Sequence, residues 1–260
     1  MTANAYPFTS ALVTGASSGI GEAMVHLLGE AGVPQVVVAR RVDRLDALAA
    51  RYPGVEVLAA DLSTANGVAA VVQRVADQTR PVDLVVNNAG FGTSGDFHTL
   101  DPDRLNSEIG VNIAALTRIS RAALGEMVPR GRGFLLNVSS VASFQPVPRL
   151  AVYAATKAYV TSFTESLHEE VRGTGVHVTA LCPGLTRTEF QSVSNTDSYI
   201  GRYPWLIWLS AAEVAEAGLH DVATGRALSI PRAIYKGMAT VSSMMPRRLL
   251  RRIAGMVQRD

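Results

Sequence analysis

Short apolar runs alternate with amphipathic stretches along almost the whole chain, and only a few residues separate one from the next. Apolar runs bounded by glycine or polar residues are typical of buried strands, whereas apolar positions three and four apart predict helices. The predicted strands are residues 10–14, 35–39, 55–60, 82–86, 133–138 and 176–181, with a short last strand at 227–230. The predicted helices are residues 22–31, 42–51, 64–78, a long region from 102 to about 129, a helix that ends near 173, then 211–222 and 246–258.

This alternation predicts an α/β fold in which one doubly wound parallel sheet is flanked by helices on both faces. No linker or change of composition divides residues 1–260, so we expect a single domain. Ligands of such sheets bind in the crevice outside the carboxyl ends of the strands. Here a glycine-rich or polar motif follows directly on almost every apolar run, which predicts that the motifs share one rim. They are residues 15–21, 40–41, 61–62, 87–90, 139–140 and 183–184.

Composition narrows the class of protein. The chain of 260 residues is 48% hydrophobic and has a formal net charge of +2, which gives no argument for a nucleic-acid partner. The single cysteine, Cys182, excludes a disulfide framework, and its position after an apolar strand predicts a buried structural thiol. The five histidines lack metal-ligand spacing, so we assign no metal site. We see no signal peptide and no apolar run that could span a membrane, and we expect a cytoplasmic protein.

Three glycines follow the first predicted strand and open the first helix. Gly15, Gly19 and Gly21 would allow a tight turn and close approach to a diphosphate, whose charge is favoured by the free N–H groups of a helix N-terminus. The spacing is G-x-x-x-G-x-G, and the Gly-Lys-Ser/Thr of nucleoside-triphosphatase phosphate loops does not follow. Close packing of the helix against the sheet is the alternative explanation for these glycines.

The residues that follow the second and third strands indicate which dinucleotide binds. An NAD-binding unit places an acidic residue against the ribose 2′-hydroxyl, but this chain has Arg40 and Arg41 in that region. Guanidinium groups bind a 2′-phosphate bidentately, so we predict NADP(H) in preference to NAD(H), and a solvated pair at a helix entrance is the alternative. Asp61 either accepts a hydrogen bond from the adenine amino group or caps the helix that starts near Thr64.

A tyrosine and a lysine four residues apart are the main candidates for chemistry. In a helix, Tyr153 and Lys157 would lie on one face, one turn apart. An ammonium favours the phenolate, so we expect Lys157 to lower the pKa of Tyr153 from its ordinary value of about 10 toward the working pH. Ser139 and Ser140 follow the fifth strand, and a hydroxyl there could hold a carbonyl oxygen beside Tyr153. Taken alone, the pair also fits a surface helix with one aromatic residue and one solvated lysine.

Together these motifs resemble those of the short-chain dehydrogenase/reductase family, in the same order and over residues 8–188. The matching motifs are Thr14-Gly15-x-x-x-Gly19-Ile20-Gly21, Asn87-Asn88-Ala89-Gly90, Asn112, Ser140, Tyr153-x-x-x-Lys157 and Pro183-Gly184. The resemblance implies a Rossmann-type fold and an oxidoreductase that interconverts a secondary alcohol and a ketone. It also implies NADP(H) as the preferred cofactor, NAD(H) as the second choice, and a homodimer or homotetramer.

The resemblance implies a role for each matching residue. Tyr153 would be the general acid in ketone reduction and the base in alcohol oxidation, while Lys157 would lower its pKa and hold the nicotinamide ribose. Ser140, at the family's usual distance before Tyr153, would polarise the substrate oxygen, and Asn112 would kink its helix and hold a water that relays protons to Lys157. The residues that would bind the dinucleotide are Gly15, Ser17, Ser18, Gly19, Ile20, Gly21, Arg40, Arg41, Asp61, Leu62, Asn88, Ala89, Gly90, Tyr153, Lys157, Pro183, Gly184, Thr186 and Thr188.

Residues 189–225 form the predicted substrate-lid region, where clustered aromatic residues indicate an apolar alcohol or ketone as the substrate. The aromatic residues are Phe190, Tyr199, Tyr203, Trp205 and Trp208. Packing within a lid or a subunit interface is the alternative explanation for these rings. Two other functions stay open: a sensor or scaffold that binds NADP(H) without turnover, and a 3-oxoacyl-carrier-protein reductase.

Residues 244–260 are predicted to contain a basic C-terminal helix with two distinct faces. Apolar residues fall on one helical stripe, and arginines occupy much of the remaining surface. Such a helix could rest weakly on an anionic membrane surface. It could equally dock on the domain or on another subunit.

Overall fold

The central element of the fold is one sheet of seven parallel strands. The computed structural model describes residues 6–196 and 204–257. Within these ranges the strand order is β3–β2–β1–β4–β5–β6–β9. The order of the strands reverses between β1 and β4, and in such sheets a crevice for ligands opens at this point. The strands are β1 (Ala11–Thr14), β2 (Gln35–Ala39), β3 (Val55–Ala59), β4 (Leu84–Asn87), β5 (Gly133–Val138), β6 (Val176–Leu181) and β9 (Leu228–Ser229). The α/β prediction is confirmed.

Helices cover both faces of the sheet and are named here in chain order. They are α1 (Gly19–Glu30), α2 (Val42–Arg51), α3 (Ala65–Val75), α4 (Pro102–Ile109), α5 (Leu116–Arg130), α6 (Ala151–Glu170), α7 (Phe190–Val193), α8 (Ala211–Ala223), α9 (Ala233–Met244) and α10 (Arg247–Val257). A π-helical segment, Gly110–Ala115, joins α4 to α5. A separate pair of two-residue strands is formed by β7 (Thr186–Arg187), which precedes the predicted lid, and β8 (Leu209–Ser210), which lies within it.

Two hydrophobic cores lie on opposite faces of the sheet because successive strand residues point to opposite sides. Val13 and Leu136 belong to the core shared with α1, α2 and α8. Their neighbours Leu12 and Leu135 belong to the core shared with α3 and α5. Since both faces are covered, the strands read as continuous apolar runs instead of alternating ones.

The structure differs from the predicted elements mainly where local capping is unusual. Helix α3 ends at Val75 instead of residue 78, because Asp77 Oδ1 accepts a hydrogen bond from the Thr79 N–H at 3.0 Å and starts a turn. Helix α9 was not predicted from the sequence. Arg232 stands at its N-cap with a φ of +66° and no capping hydrogen bond, so the usual start signal is missing.

Candidate active site

The motifs at the carboxyl ends of the strands line one cavity of about 1100 Å³. Of the residues predicted to react or to bind the dinucleotide, only Gly21 and Asn112 are absent from its lining within the described ranges. The lining residues among them are Gly15, Ser17, Ser18, Gly19, Ile20, Arg40, Arg41, Asp61, Leu62, Asn88, Ala89, Gly90, Ser140, Tyr153, Lys157, Pro183, Gly184, Thr186 and Thr188. The shared rim expected from the sequence is therefore a single site.

The glycine-rich turn is shaped by Asn88, whose side chain lies directly behind it. Asn88 Nδ2 donates to the Thr14 carbonyl at 2.9 Å and lies 2.7 Å and 2.4 Å from where a Cβ would stand on Gly15 and Gly21, respectively. Close packing alone therefore requires glycine at position 21, as the alternative explanation held. Gly15 and Gly19 also line the cavity, where a backbone without side chains fits the close approach of a dinucleotide.

Replacing Gly21 with alanine is expected to lower the free energy of unfolding by about 1–3 kcal/mol, the usual cost of overpacking. The added methyl group would lie 2.4 Å from both Asn88 Nδ2 and the Gly15 carbonyl oxygen, and the second contact is with backbone. Urea denaturation would measure the change. The control is Gly237→Ala in α9, where no atom other than those of the adjoining helix lies within 4 Å of the new Cβ and the free energy of unfolding should stay constant or rise. Equal losses in both variants would contradict the packing explanation.

Arg41 is held at the cavity by the glycine-rich turn and by an acidic residue. Its guanidinium forms a salt bridge with Glu189 at 2.8 Å and donates to the Ser17 hydroxyl at 3.1 Å and 3.2 Å. Arg44 forms a second salt bridge with Glu189 at 2.6 Å. Arg40 lines the cavity and is exposed to solvent. Sequence reasoning missed Arg44, although its position three residues after Arg41 on a predicted helix was an available signal.

Asp61 lines the cavity but does not cap the helix that follows it. Thr64 is the N-cap of α3, and its hydroxyl accepts from the Gly67 N–H at 3.1 Å. The Asp61 carboxylate instead accepts from the Ser63 N–H at 2.9 Å and the Ser63 hydroxyl at 2.8 Å. Burial opposes ionisation of Asp61, but these hydrogen bonds outweigh it and lower the pKa of the carboxyl. The helix-cap alternative is wrong, and Asp61 remains a charged acceptor at the cavity.

Tyr153 and Lys157 lie one turn apart on α6, and both line the cavity. Both are buried, since Tyr153 is 9% exposed and Lys157 is 4% exposed. Lys157 Nζ donates to the carbonyl oxygen of Val138, the last residue of β5, at 2.8 Å. The same atom lies 5.7 Å from the centre of the Tyr153 ring. The surface-helix alternative is therefore wrong, because neither side chain faces bulk solvent.

Burial dominates the ionisation of this pair. It raises the pKa of Tyr153 to about 12, although the nearby Ser140 hydroxyl favours the ionised form. It lowers the pKa of Lys157 to about 8, because the ammonium has lost its contact with water. The expectation that Lys157 lowers the pKa of Tyr153 below its ordinary value therefore does not match the structure, since desolvation of the phenol outweighs every favourable interaction. Tyr153 keeps its proton at neutral pH and is available as an acid.

The two serines after β5 have different partners. Ser139 donates to the Lys157 carbonyl oxygen at 2.8 Å and shares a hydrogen bond with the Thr161 hydroxyl at 2.7 Å, so it ties β5 to α6. Ser140 accepts from the Ala142 N–H at 3.1 Å and lies beside the Tyr153 phenol. This geometry favours Ser140 over Ser139 as the residue whose hydroxyl faces a substrate.

Asn112 lies behind the cavity in the π-helical segment, which interrupts the long helix predicted from the sequence. Its Nδ2 donates to the Phe91 carbonyl at 2.9 Å and to the Thr156 hydroxyl at 3.0 Å, while its Oδ1 accepts from the Phe91 N–H at 3.2 Å. These bonds join the loop after β4 to α6 one residue before Lys157. The interruption is the kind of helix distortion that the resemblance implied.

A buried carboxylate near the pair was missed by sequence reasoning. Glu108 on α4 is 0% exposed, and neither of its oxygens makes a regular hydrogen bond within the described part of the chain. Burial raises its pKa, although Thr93, Arg104 and Lys157 favour the charged form. Its position four residues before Asn112 on a predicted helix was the available signal, because that spacing puts both on one face.

Many large apolar side chains line the cavity, and one of them packs beside Tyr153. The Phe190 ring lies 5.2 Å from the Tyr153 ring, and Trp208 is buried against the same space. Trp205 is 72% exposed and is absent from the lining, while Tyr199 and Tyr203 lie outside the described residues. The other large apolar residues of the lining include Val147, Leu150, Leu185, Ile207, Ile234, Met238, Leu250 and Ile253.

The C-terminal helix α10 docks on the domain, which is one of the options left open by the sequence. Leu250 is buried, and both Leu250 and Ile253 line the cavity. The four arginines of α10 at positions 247, 248, 251 and 252 are exposed. Among the helices within residues 6–196 and 204–257, none combines the length and the apolar character needed to cross a membrane.

Comparisons with known proteins point to one family. A family model described as short chain dehydrogenase matches residues 9–198. A curated protein from Myxococcus xanthus (strain DK1622), described as an uncharacterized oxidoreductase, is 36% identical over 192 residues, which are 72% of this chain and 76% of that protein.

Two solved structures resemble the whole fold. A short-chain dehydrogenase from Sphingobium yanoikuyae in complex with NADPH is 32% identical with a TM-score of 0.80, over 92% of this chain and 96% of that chain. A bulky-bulky ketone specific alcohol dehydrogenase from Comamonas testosteroni is 28% identical with a TM-score of 0.77, over 94% of this chain and 96% of that chain.

Proposed function

The chain belongs to the short-chain dehydrogenase family and is an oxidoreductase, and we propose that it interconverts a secondary alcohol and a ketone on an apolar substrate with NADP(H). The observation that carries the proposal is one cavity that combines three features. Tyr153 and Lys157 are buried in it, the glycine-rich turn with Arg40 and Arg41 lines it, and so do many large apolar side chains.

Different residues of this cavity have different roles in ketone reduction. The bound dinucleotide supplies the hydride. Ser140 holds the carbonyl oxygen by a hydrogen bond, and Tyr153 donates the proton that this oxygen needs. The charge that develops on the phenol oxygen is stabilised by the Lys157 ammonium, while the buried surroundings strengthen that attraction. In alcohol oxidation the same groups act in reverse.

The preference for NADP(H) rests on the guanidinium groups after β2. Arg40 and Arg41 line the cavity near the glycine-rich turn and can bind a 2′-phosphate through charge-assisted hydrogen bonds. The relative from Sphingobium yanoikuyae was solved with NADPH, which supports the same choice here. Asp61, Asn88 and Ala89 border the cavity beside these arginines and would contact the adenosine part.

The apolar side chains of the lining support a bulky apolar ketone or alcohol as the substrate. Hydrocarbon surface is presented to the cavity by Phe190, Trp208, Met238, Leu250 and Ile253. Burial of each substrate methylene against such surface is worth about 0.8 kcal/mol. The relative from Comamonas testosteroni is specific for bulky-bulky ketones, which agrees with a wide apolar site.

A panel of ketones and alcohols, followed by the absorbance of NADPH, tests the proposal. We expect reduction of bulky apolar ketones, with kcat/KM rising by up to about fourfold for each added methylene that the cavity buries. Polar ketones with the same number of carbons are the control and should react more slowly. The Michaelis constant for NADPH should be about tenfold or more below that for NADH, because the 2′-phosphate adds charge-assisted hydrogen bonds.

Three outcomes of the panel would contradict parts of the proposal. Binding of NADPH without turnover of any ketone or alcohol would favour the sensor alternative, against which the buried Tyr153 and Lys157 argue. A strong preference for 3-oxoacyl thioesters on a carrier protein would favour the carrier-protein reductase. A lower Michaelis constant for NADH would overturn the cofactor preference.

A further inference from the structure

The carboxylate of Glu189 is bound by two arginines at the edge of the cavity. Its two oxygens accept from different guanidinium groups, Oε2 from Arg41 at 2.8 Å and Oε1 from Arg44 at 2.6 Å. These hydrogen bonds lower the pKa of Glu189, so the carboxylate is charged at neutral pH. All three side chains are close to 40% exposed, being 39%, 41% and 41%, so solvent screens the cluster but does not separate it.

The same two arginines also contact the glycine-rich turn. Arg41 donates to the Ser17 hydroxyl, and both guanidinium groups donate to the Ser17 carbonyl oxygen, Arg41 at 3.3 Å and Arg44 at 3.1 Å. Glu189, 148 residues after Arg41 in the sequence, completes this cluster. Arg41, one of the two arginines that would receive the 2′-phosphate, therefore lies between the glycine-rich turn and the Glu189 carboxylate, and Arg44 makes the same two contacts.

We propose that Glu189 is an internal competitor for the 2′-phosphate: it occupies Arg41, one of the two arginines assigned to this phosphate, together with the neighbouring Arg44, and thereby sets the discrimination between NADP(H) and NAD(H). A carboxylate and a phosphate present similar pairs of oxygens to a guanidinium, so both cannot use the same N–H groups of Arg41 and Arg44 at once. An exposed ion pair of this kind is weak enough for a doubly charged phosphate to displace. The inference rests on the proposed function, since it assumes that NADP(H) is the ligand of this cavity.

The position of Glu189 connects the arginines with the catalytic end of the cavity. The next residue is Phe190, whose ring lies 5.2 Å from the ring of Tyr153. The Phe190 N–H donates to the Thr188 hydroxyl at 3.1 Å, so residues 188–190 form one short hydrogen-bonded unit. Glu189 is therefore the neighbour in sequence of a residue that packs against the candidate catalytic tyrosine.

Calorimetric titration with adenosine 2′,5′-bisphosphate and with 5′-AMP tests the competition in the full chain. We expect Glu189→Gln to bind the bisphosphate about 3- to 10-fold more tightly than the unmodified protein, as expected when an exposed ion pair no longer competes. The affinity for 5′-AMP should change by less than about twofold, since it lacks the 2′-phosphate. The control is Glu22→Gln, which removes a charge that also acts on Arg44 but makes no salt bridge within the described residues.

Each outcome of this titration decides one question. If the unmodified protein prefers the bisphosphate and Glu189→Gln leaves that preference unchanged or weakens it, the inference about Glu189 fails while the NADP(H) proposal stands. If Glu22→Gln strengthens binding as much as Glu189→Gln, the effect is general charge and the inference also fails. If the unmodified protein binds both nucleotides equally, the cofactor proposal itself fails. Thermal unfolding of the unmodified protein and of both variants checks that the compared proteins are folded.

Discussion

Replacing Tyr153 with phenylalanine is expected to lower kcat for ketone reduction by about 10²- to 10⁴-fold, the range that general acid–base catalysis supplies. The substitution removes one hydroxyl and keeps the buried ring that packs against Phe190 at 5.2 Å. The cavity and the dinucleotide contacts should therefore survive, and the dissociation constant of NADPH should change by less than about threefold. Steady-state turnover with the best ketone of the panel, together with fluorescence titration of NADPH, measures both quantities.

Tyr159→Phe provides the matched control for this experiment. Tyr159 lies on the same helix, but it is 36% exposed, and its hydroxyl pairs with the Thr117 hydroxyl at 2.9 Å on the surface. It should retain nearly full activity, because its hydroxyl is not part of the cavity lining. If Tyr153→Phe retained more than about one tenth of the activity, the phenol would not be the general acid of the reaction.

The sheet could be predicted closely from the sequence because both of its faces are covered. Strands β2, β5 and β6 and helix α2 occupy the residues predicted for them. Continuous apolar runs define such strands without ambiguity about which face is buried. The location of the cavity followed as well, since parallel strands carry their carboxyl ends to the same edge.

Contacts between distant parts of the chain could not be predicted in the same way. The residues around Glu189 do not identify it as the partner of Arg41 and Arg44. It lies more than 140 residues after them in the sequence, and its local sequence does not distinguish it from other acidic residues. The burial of Glu108 was hidden for a related reason. An acid on an amphipathic helix is usually solvated, whereas Glu108 is buried in the folded chain, where α4 packs against α6.

The ionisation of Tyr153 and Lys157 shows most clearly what cannot be predicted from neighbouring residues alone. Spacing on a helix correctly placed Lys157 one turn from Tyr153, and the charge of an ammonium favours a phenolate. The sequence does not reveal how completely both groups are buried. Burial disfavours the charged form of each group and so opposes the effect of the ammonium on the phenol. It raises the pKa of the phenol and lowers the pKa of the amine, so the proton stays on Tyr153.

Lys157 is expected to titrate with a pKa of about 8 in the free protein, and kcat/KM for reduction should fall as pH rises through that value. Below it the amine is charged and can stabilise the phenolate that forms as Tyr153 gives up its proton; above it the amine is neutral. The pKa of Tyr153 is raised to about 12, so the phenol keeps its proton throughout and the fall belongs to Lys157. Since kcat/KM reports groups of the free enzyme, it is the quantity to follow between pH 6 and 10.

The composition of the chain allows this titration to be observed directly. Lysine occurs only at positions 157 and 236. Selective ¹³Cε labelling of lysine therefore gives two NMR signals, and Lys236→Met assigns them while serving as the exposed control, with unchanged activity. Lys157→Met should lower kcat by about 10²-fold or more, because it removes a group that stabilises the charge developing on the phenol oxygen. It should also abolish the inflection of kcat/KM near pH 8. A Lys157 signal that titrates above pH 10, or a flat pH profile in the unmodified enzyme, would mean that burial does not control the charge of this amine.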